Sequence, residues 1–345
     1  MSNETSRMSA DAVLPVDAVP PVDDVLPVIA VLPADAVLPV IDIGAFEHGG
    51  HEAAHIREAV RRALTESGFM TIQGHGIDSA LVSQAFAAAQ GFFDRPRADK
   101  DVFGYATVDE NFGFQGIEAE SLDPAAMPDL KEAFTMRNAL AAAMQPARWP
   151  DAQFRATAMA FYEAALSAAY RIMRILAACL ELPAEFFTER HRGENVTLRF
   201  LHYPANLPVK SSAQFGAGAH TDYGSITLLF QDDVGGLELR DADGEWRLAP
   251  PVPQAVLINT GDLMERWTNG RFPSTVHRVR PISGTRDRFS IALFVDPDAA
   301  VEIDCIASCT NAEQPARYPR VTAGEHIRQK IAATHGRDGR GRKSA

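Results

Sequence analysis

The stretch GAHTDYGSITLLF, residues 218 to 230, sets His220 and Asp222 two apart at the head of a β-branched, apolar run. In a regular strand the side chains at i and i+2 share a face, so an imidazole and a carboxylate would point the same way. A metal ion would use that pair. A His–Asp hydrogen bond between two half-buried groups would account for it equally well. His277 stands downstream in STVHRVRP, a second strand-like run. DRFSIALFVDP then carries Arg288 and Ser290, again two apart, and HYP places Tyr203 at the end of a further β-rich segment.

Taken together, these residues suggest a chemistry. Two histidines and one carboxylate on one face of a metal leave three positions open, the arrangement of non-haem Fe(II) oxygenases. An arginine held in a strand nearby can grip a dicarboxylate bidentately, with a serine hydroxyl adding a hydrogen bond. The other histidines (48, 51, 55, 75, 191, 202, 326 and 335) lack such partners and are assigned to surface or core. His51 and His55 have metal-capable i, i+4 spacing, but the glutamate of HExxH and a third ligand are missing, so they read as a solvated helix face. Asp262, in NTGD, reads as a turn residue that caps backbone N–H groups. Arg278 follows His277, so a regular strand would point it away from a metal and into a structural salt bridge.

The elements that must position these groups come in two kinds. LPVIDIGAF (38–46) reads as a first strand, HEAAHIREAVRRALT (51–65) as a helix ending at Ser67-Gly68, and GFMTIQGHGI (68–77) as a short strand. Residues 79–94 and 151–182 read as helices; the second offers Phe154, Phe161, Leu166, Tyr170, Met173 and Leu176 as a core stripe. From about residue 194 the pattern becomes short strands separated by turn signals at 233–236, Asp243-Gly244 and Asn269-Gly270. Helices followed by seven or more strands predict an α+β fold, with a helical N-terminal half packed on an antiparallel sandwich or jelly roll. Ahead of all this, from Asp11 to Val40, runs a six-residue repeat of the type DAVLPV. A proline in every unit excludes a continuous helix or central strand. Residues 1–36 are therefore expected to be a low-complexity extended arm, the alternative being an arm that docks on a partner chain. Residues 316–345 are expected to be a C-terminal helix and a basic tail.

The 345 residues carry 46% apolar and 23% charged side chains, enough for a sizeable core. A formal net charge of −12 argues against nucleic-acid or anionic-membrane partners, which call for a basic face. No signal or transmembrane segment is read. Three cysteines, 179, 305 and 309, complete no zinc site and read as reduced thiols of a cytoplasmic protein. The pattern sets no oligomeric state.

HTDYGSITLL…QDDVGGLEL, NTGDLMERWTNGRFPSTVHRV and RFSIALFVDP resemble the 2-oxoglutarate- and Fe(II)-dependent oxygenases, in the branch that includes isopenicillin N synthase. LPVIDI, ESGFMTIQGHGI and DLKEAF resemble that branch's N-terminal region, so the likeness covers roughly residues 38 to 315. It implies a double-stranded β-helix (jelly-roll) core over 194–315, with the mainly helical N-terminal region at 37–193. It further implies that His220, Asp222 and His277 ligate iron, that Arg288 and Ser290 bind the distal carboxylate of 2-oxoglutarate, and that Tyr203 assists. Leu201 stands where many plant members have the asparagine of Asn-x-Tyr, which makes the pocket there more apolar. The implied reaction consumes O2 and 2-oxoglutarate, releases succinate and CO2, and hydroxylates or desaturates a small molecule. Two alternatives remain open at this stage: an oxidase that uses no 2-oxoglutarate, and a cupin-like module that binds without chemistry. Phe114, Phe215, Tyr223 and Phe294 are candidates for the substrate pocket wall, and Arg137 is a candidate partner for an acidic substrate group.

Overall fold

The computed structural model describes residues 38–105, 110–123, 125–139 and 146–335. The repeat arm assigned to 1–36 and the tail beyond 335 lie outside the described residues. The chain opens with strand β1 (Val40–Asp42), helix α1 (Gly50–Ser67), strand β2 (Phe69–Gln73), helix α2 (Ser79–Phe93) and the short helix α3 (Arg97–Asp101). Strands β3 (Phe112–Gln115) and β4 (Glu132–Arg137) precede the long helix α4 (Ala152–Cys179). Then come β5 (Val196–Tyr203), β6 (Ala217–His220), β7 (Ile226–Gln231), β8 (Leu237–Arg240), β9 (Trp246–Leu248) and β10 (Val256–Thr260). Helix α5 (Asp262–Trp267), β11 (His277–Val279), β12 (Arg288–Val295), β13 (Glu302–Ile303), β14 (Val321–Thr322) and helix α6 (Ala323–His335) follow. No helix among the described residues is long and apolar enough to cross a membrane.

Local chemistry sets the boundaries of the helices. Asp78 caps α2 by accepting from the Ala80 N–H, and Asp151 caps α4 by accepting from the Phe154 N–H at 2.7 Å. Helix α1 stops at Gly68, in the left-handed region at φ 68°, where a Cβ would lie 2.2 Å from the Pro273 carbonyl oxygen. The expected stripe of α4 is core: Phe154, Phe161, Met173 and Leu176 are buried, with Leu166 and Tyr170 partly buried beside them.

The strands form an eight-stranded sheet in the order β1-β2-β10-β7-β12-β5-β4-β3 and a four-stranded sheet in the order β6-β11-β8-β9. Apart from the parallel β1–β2 pair, both sheets are antiparallel. Helices α1, α2 and α4 cover one face of the larger sheet, and the smaller sheet lies over the other, which gives the jelly roll. The N-terminal region also contributes four strands, β1 to β4, to the larger sheet. Strands β3 and β4 were not expected; in β4 a buried charge hides the strand pattern. Glu132, the first residue of β4, is buried and paired to buried Lys100 at 2.8 Å.

The run around His220 is not one strand. Strand β6 ends at His220, and the chain turns through 221–225 before β7 begins. The turn is pinned to the start of α5, with the Asp262 N–H donating to the Asp222 carbonyl and the Leu263 N–H to that of Gly224. Alternation along a strand therefore does not place Asp222 beside His220; the turn does.

Candidate active site

Both sheets frame a cavity of about 470 Å³, and the two histidines enter it from adjacent strands. His277 opens β11 and pairs in register with His220, the last residue of β6, with ring centroids 4.3 Å apart. Asp222 Oδ1 lies 3.8 Å from Nε2 of His220 and 3.8 Å from Nε2 of His277, and one donor atom from each residue falls within 4.8 Å of the others. Each histidine is oriented through its second nitrogen: His220 Nδ1 meets the Gly218 carbonyl at 2.8 Å, and His277 Nδ1 meets that of Thr275 at 3.1 Å. With Nδ1–H donating, each Nε2 presents a lone pair to the centre. Asp222 Oδ2 accepts from Thr227 Oγ1 at 2.6 Å and from Asn259 Nδ2 at 2.7 Å, which leaves Oδ1 to the cavity.

The electrostatics match this arrangement. Burial, aided by neighbouring His277, pushes His220 down to about 4, which keeps it neutral and able to ligate. Burial works against an ionised Asp222, yet the two histidines and the hydrogen bonds from Asn259 and Thr227 hold its carboxyl below the usual range. Two imidazoles and one carboxylate, each backed by a fixed hydrogen bond, suit a divalent ion such as Fe(II).

Arg288 begins β12 and is 0% exposed. Its Nη1 donates to Ser290 Oγ at 3.2 Å, its Nη2 to Gln231 Oε1 at 3.0 Å, and its guanidinium lies 4.6 Å from the Tyr203 ring centroid. Its Nε has no hydrogen-bond partner, and no carboxylate lies within ion-pair distance among the described residues. A buried guanidinium in that condition fits an incoming carboxylate. Leu201 pairs with Ser290 across β5 and β12 and adds an apolar wall.

Of the five candidate substrate contacts, the structure places three in this cavity: Arg137, Tyr223 and Phe294. Phe114 and Phe215 are not on its wall. On β3 it is Gln115 that faces the cavity, so strand alternation sends Phe114 to the other side. There it packs 5.8 Å from Phe92, with the side chains of Arg97 and Lys100 over its ring. Phe215 lies under the guanidinium of Arg278, 4.7 Å away. As expected, Arg278 points away from the three converged donors; it donates to Glu238 at 2.7 Å and stacks on Trp246. Asp262 departs from expectation. No side-chain cap is made there, and its carboxylate instead takes Lys330 Nζ of α6 at 2.5 Å.

Several cavity residues were not foreseen. Thr227 and Asn259 pair across β7 and β10, each a polar residue inside an apolar strand, and that interruption was their only trace in the sequence. Buried Lys131 and partly buried Glu120 and Arg199 form a charged wall, with Lys131 Nζ 2.8 Å and Arg199 Nη2 3.0 Å from Glu120. Asp296 follows β12, and Ile327 and Ile331 reach the cavity from α6. Asp296 is the reason residue 224 is glycine: a Cβ there would stand 1.4 Å from its Oδ1.

Comparison with known proteins gives consistent results. A family model of the 2OG-Fe(II) oxygenase superfamily matches residues 194–297. The model of the non-haem dioxygenase in morphine synthesis N-terminal region matches residues 38–152. The chain is 33% identical over 306 residues to the 2-oxoglutarate-Fe(II) type oxidoreductase hxnY of Emericella nidulans, covering 84% of this chain and 87% of that protein. Over 267 residues it is 36% identical to the 2-oxoglutarate-dependent dioxygenase citB of Monascus ruber, covering 71% and 79%. A full-length Neurospora crassa protein, solved in complex with alpha-KG and thymine, superposes with a TM-score of 0.78 at 30% identity, covering 89% of this chain and all of that one.

Proposed function

Because the chain belongs to the 2OG-Fe(II) oxygenase superfamily, we propose that His220, Asp222 and His277 hold its iron and that Arg288 holds the distal carboxylate of 2-oxoglutarate. The protein is a 2-oxoglutarate-dependent dioxygenase, which hydroxylates or desaturates a small molecule while 2-oxoglutarate becomes succinate and CO2. When bound, Fe(II) supplies the O2-activating centre of that chemistry.

The chain's own part is positional. Thr227 and Asn259 hold Asp222 Oδ2 and leave Oδ1 for a metal, and the Gly218 and Thr275 carbonyls fix the imidazole tautomers. Ser290 and Gln231 hold the Arg288 guanidinium over the Tyr203 ring, with its Nε–H free to meet a carboxylate. Tyr223 and Phe294 supply apolar wall for the primary substrate. The observation that carries this reading is the pairing of three converged donor atoms with a fully buried arginine that has no carboxylate at ion-pair distance among the described residues. A cytoplasmic location is part of the proposal, supported by the free state of all three cysteines, and cell fractionation checks it.

The direct test is succinate release from 2-oxoglutarate with Fe(II), screened over small metabolites. Substrate-dependent succinate formation that disappears in His277→Ala is the expected result. Turnover of a substrate without succinate would instead give Arg288 to the substrate's own carboxylate and overturn the cosubstrate assignment.

A further inference from the structure

Apart from the two histidines, the acidic and basic side chains of the cavity fall into three sets. In the first, the charges of Fe(II), Asp222, 2-oxoglutarate and Arg288 cancel. The second is closed within the protein: Lys131 pairs with Asp129 at 2.5 Å and with Glu120 at 2.8 Å, and Glu120 also takes Arg199 at 3.0 Å. Two cations there face two carboxylates. The third set is Arg137 with Asp296, and it does not close. Arg137 donates to Asn195 Oδ1 at 2.5 Å, and no carboxylate reaches ion-pair distance of it among the described residues. Asp296 is near enough for the two to influence each other, but burial drives its carboxyl up to about 7 against the pull of Arg137.

Register fixes where this set lies. Arg137 pairs with Thr197, Thr197 with Phe294, Phe294 with Thr227 and Thr227 with Asn259. Arg137 thus shares a row of the larger sheet with the two residues that hold Asp222. Three strand spacings, about 14 Å of backbone, separate it from Thr227. Phe294 lies between them in that row and lines the cavity. Arg288 is six residues from Phe294 along β12, about 20 Å, so the two arginines mark opposite ends of the cavity.

We propose that Arg137 selects the primary substrate by binding its carboxylate, and that the substrate is a small organic acid whose apolar ring packs on Phe294 and Tyr223 beside the iron. This rests on the reading that Arg288 is taken by 2-oxoglutarate. With Arg288 occupied and the Lys131 wall closed, Arg137 is the cation of the cavity left, among the described residues, to receive an anion. A carboxylate bound there points the far end of the ring toward the metal position, where oxidation takes place.

The test is calorimetric titration of the anaerobic Fe(II)- and 2-oxoglutarate-loaded protein with two probes of one shape, benzoate and benzamide. Wild type should bind benzoate about tenfold more tightly than benzamide, a difference of about 1.4 kcal/mol. Arg137→Gln should bring the two within about twofold, and 2-oxoglutarate affinity should be unchanged. Arg137→Lys should keep part of the preference as a point charge; should Arg137→Gln fail to fold, this variant carries the test by weakening benzoate while leaving benzamide alone. No preference in wild type, no benzoate binding at millimolar concentration, or a full preference surviving in Arg137→Gln overturns the proposal. Failure of 2-oxoglutarate to bind wild type would sink the Arg288 assignment instead. The benzoate preference of Arg137→Gln would still decide for or against Arg137.

Discussion

Replacing Arg288 with Met removes the guanidinium and keeps most of the side-chain volume. In the folded protein that guanidinium is 0% exposed, held by Ser290 and Gln231, and its Nε is unpartnered. Removing one partner of a desolvated charge pair costs about 2–5 kcal/mol, and a mid-range loss of about 3.5 kcal/mol is a several-hundred-fold rise in Kd. Iron affinity should stay within about threefold of wild type, because Arg288 touches none of the three ligands. Without ligand the buried Arg288 has no carboxylate at ion-pair distance among the described residues, so the variant should be at least as stable as wild type in that state. Thermal unfolding tests both statements together. At about one hundred times its Kd, 2-oxoglutarate should stabilise wild type by about 2.7 kcal/mol, and the same concentration should leave the variant's Tm unmoved. A Kd that changes by less than about threefold, or a Tm shift that persists, refutes the assignment of Arg288 to the cosubstrate.

Four further outcomes are expected. His220→Ala and Asp222→Ala should each abolish turnover and weaken iron binding while preserving the circular dichroism spectrum; near-normal turnover under limiting iron would remove that residue from the ligand set. Gly224→Ala should lower stability by about 1–3 kcal/mol, because its Cβ would displace the Asp296 carboxylate, and Asp296→Ala should recover much of the loss in the double variant. His191 is fully buried between the Phe187 carbonyl and Ser225, and burial pushes it down to about 4. Its neutral form is favoured by folding, so its contribution is complete above about pH 6.5. It is lost as pH falls from there through 4, by about 3 kcal/mol in total. Denaturant titrations of His191→Gln should therefore show a shallower loss across that window, and an unchanged slope would count against it. Deletion of residues 2–34 should leave activity and Tm nearly unchanged, since a Pro-rich extended arm buries little apolar surface; dissociation of an oligomer on gel filtration would make the arm an assembly element.

The residues of the site were legible in the sequence because their types are rare in apolar strands and their order matches a known pattern. Arg288 and Ser290 were correctly read as sharing a face, because β12 is a regular strand and alternation is local. Helices α1, α2 and α4 were legible for the same reason, since caps and apolar periodicity act within a few turns of chain. What alternation cannot supply is the pairing of distant strands. The register that sets His277 opposite His220, and Asn259 opposite Thr227 beneath Asp222, exists only once the sheets assemble. The turn that aims Asp222 is likewise held by backbone bonds from Asp262 and Leu263, far along the chain. Phe114 and Phe215 went astray because an aromatic side chain suits a core and a pocket equally well, and the face it takes depends on which side of the sheet the helices cover. Strand β4 stayed hidden because Glu132 and Lys131 are buried only through partners brought to them by folding, Lys100 and Glu120. A charge in a strand reads as exposed until its counter-charge is known, and that partner is set by tertiary structure alone.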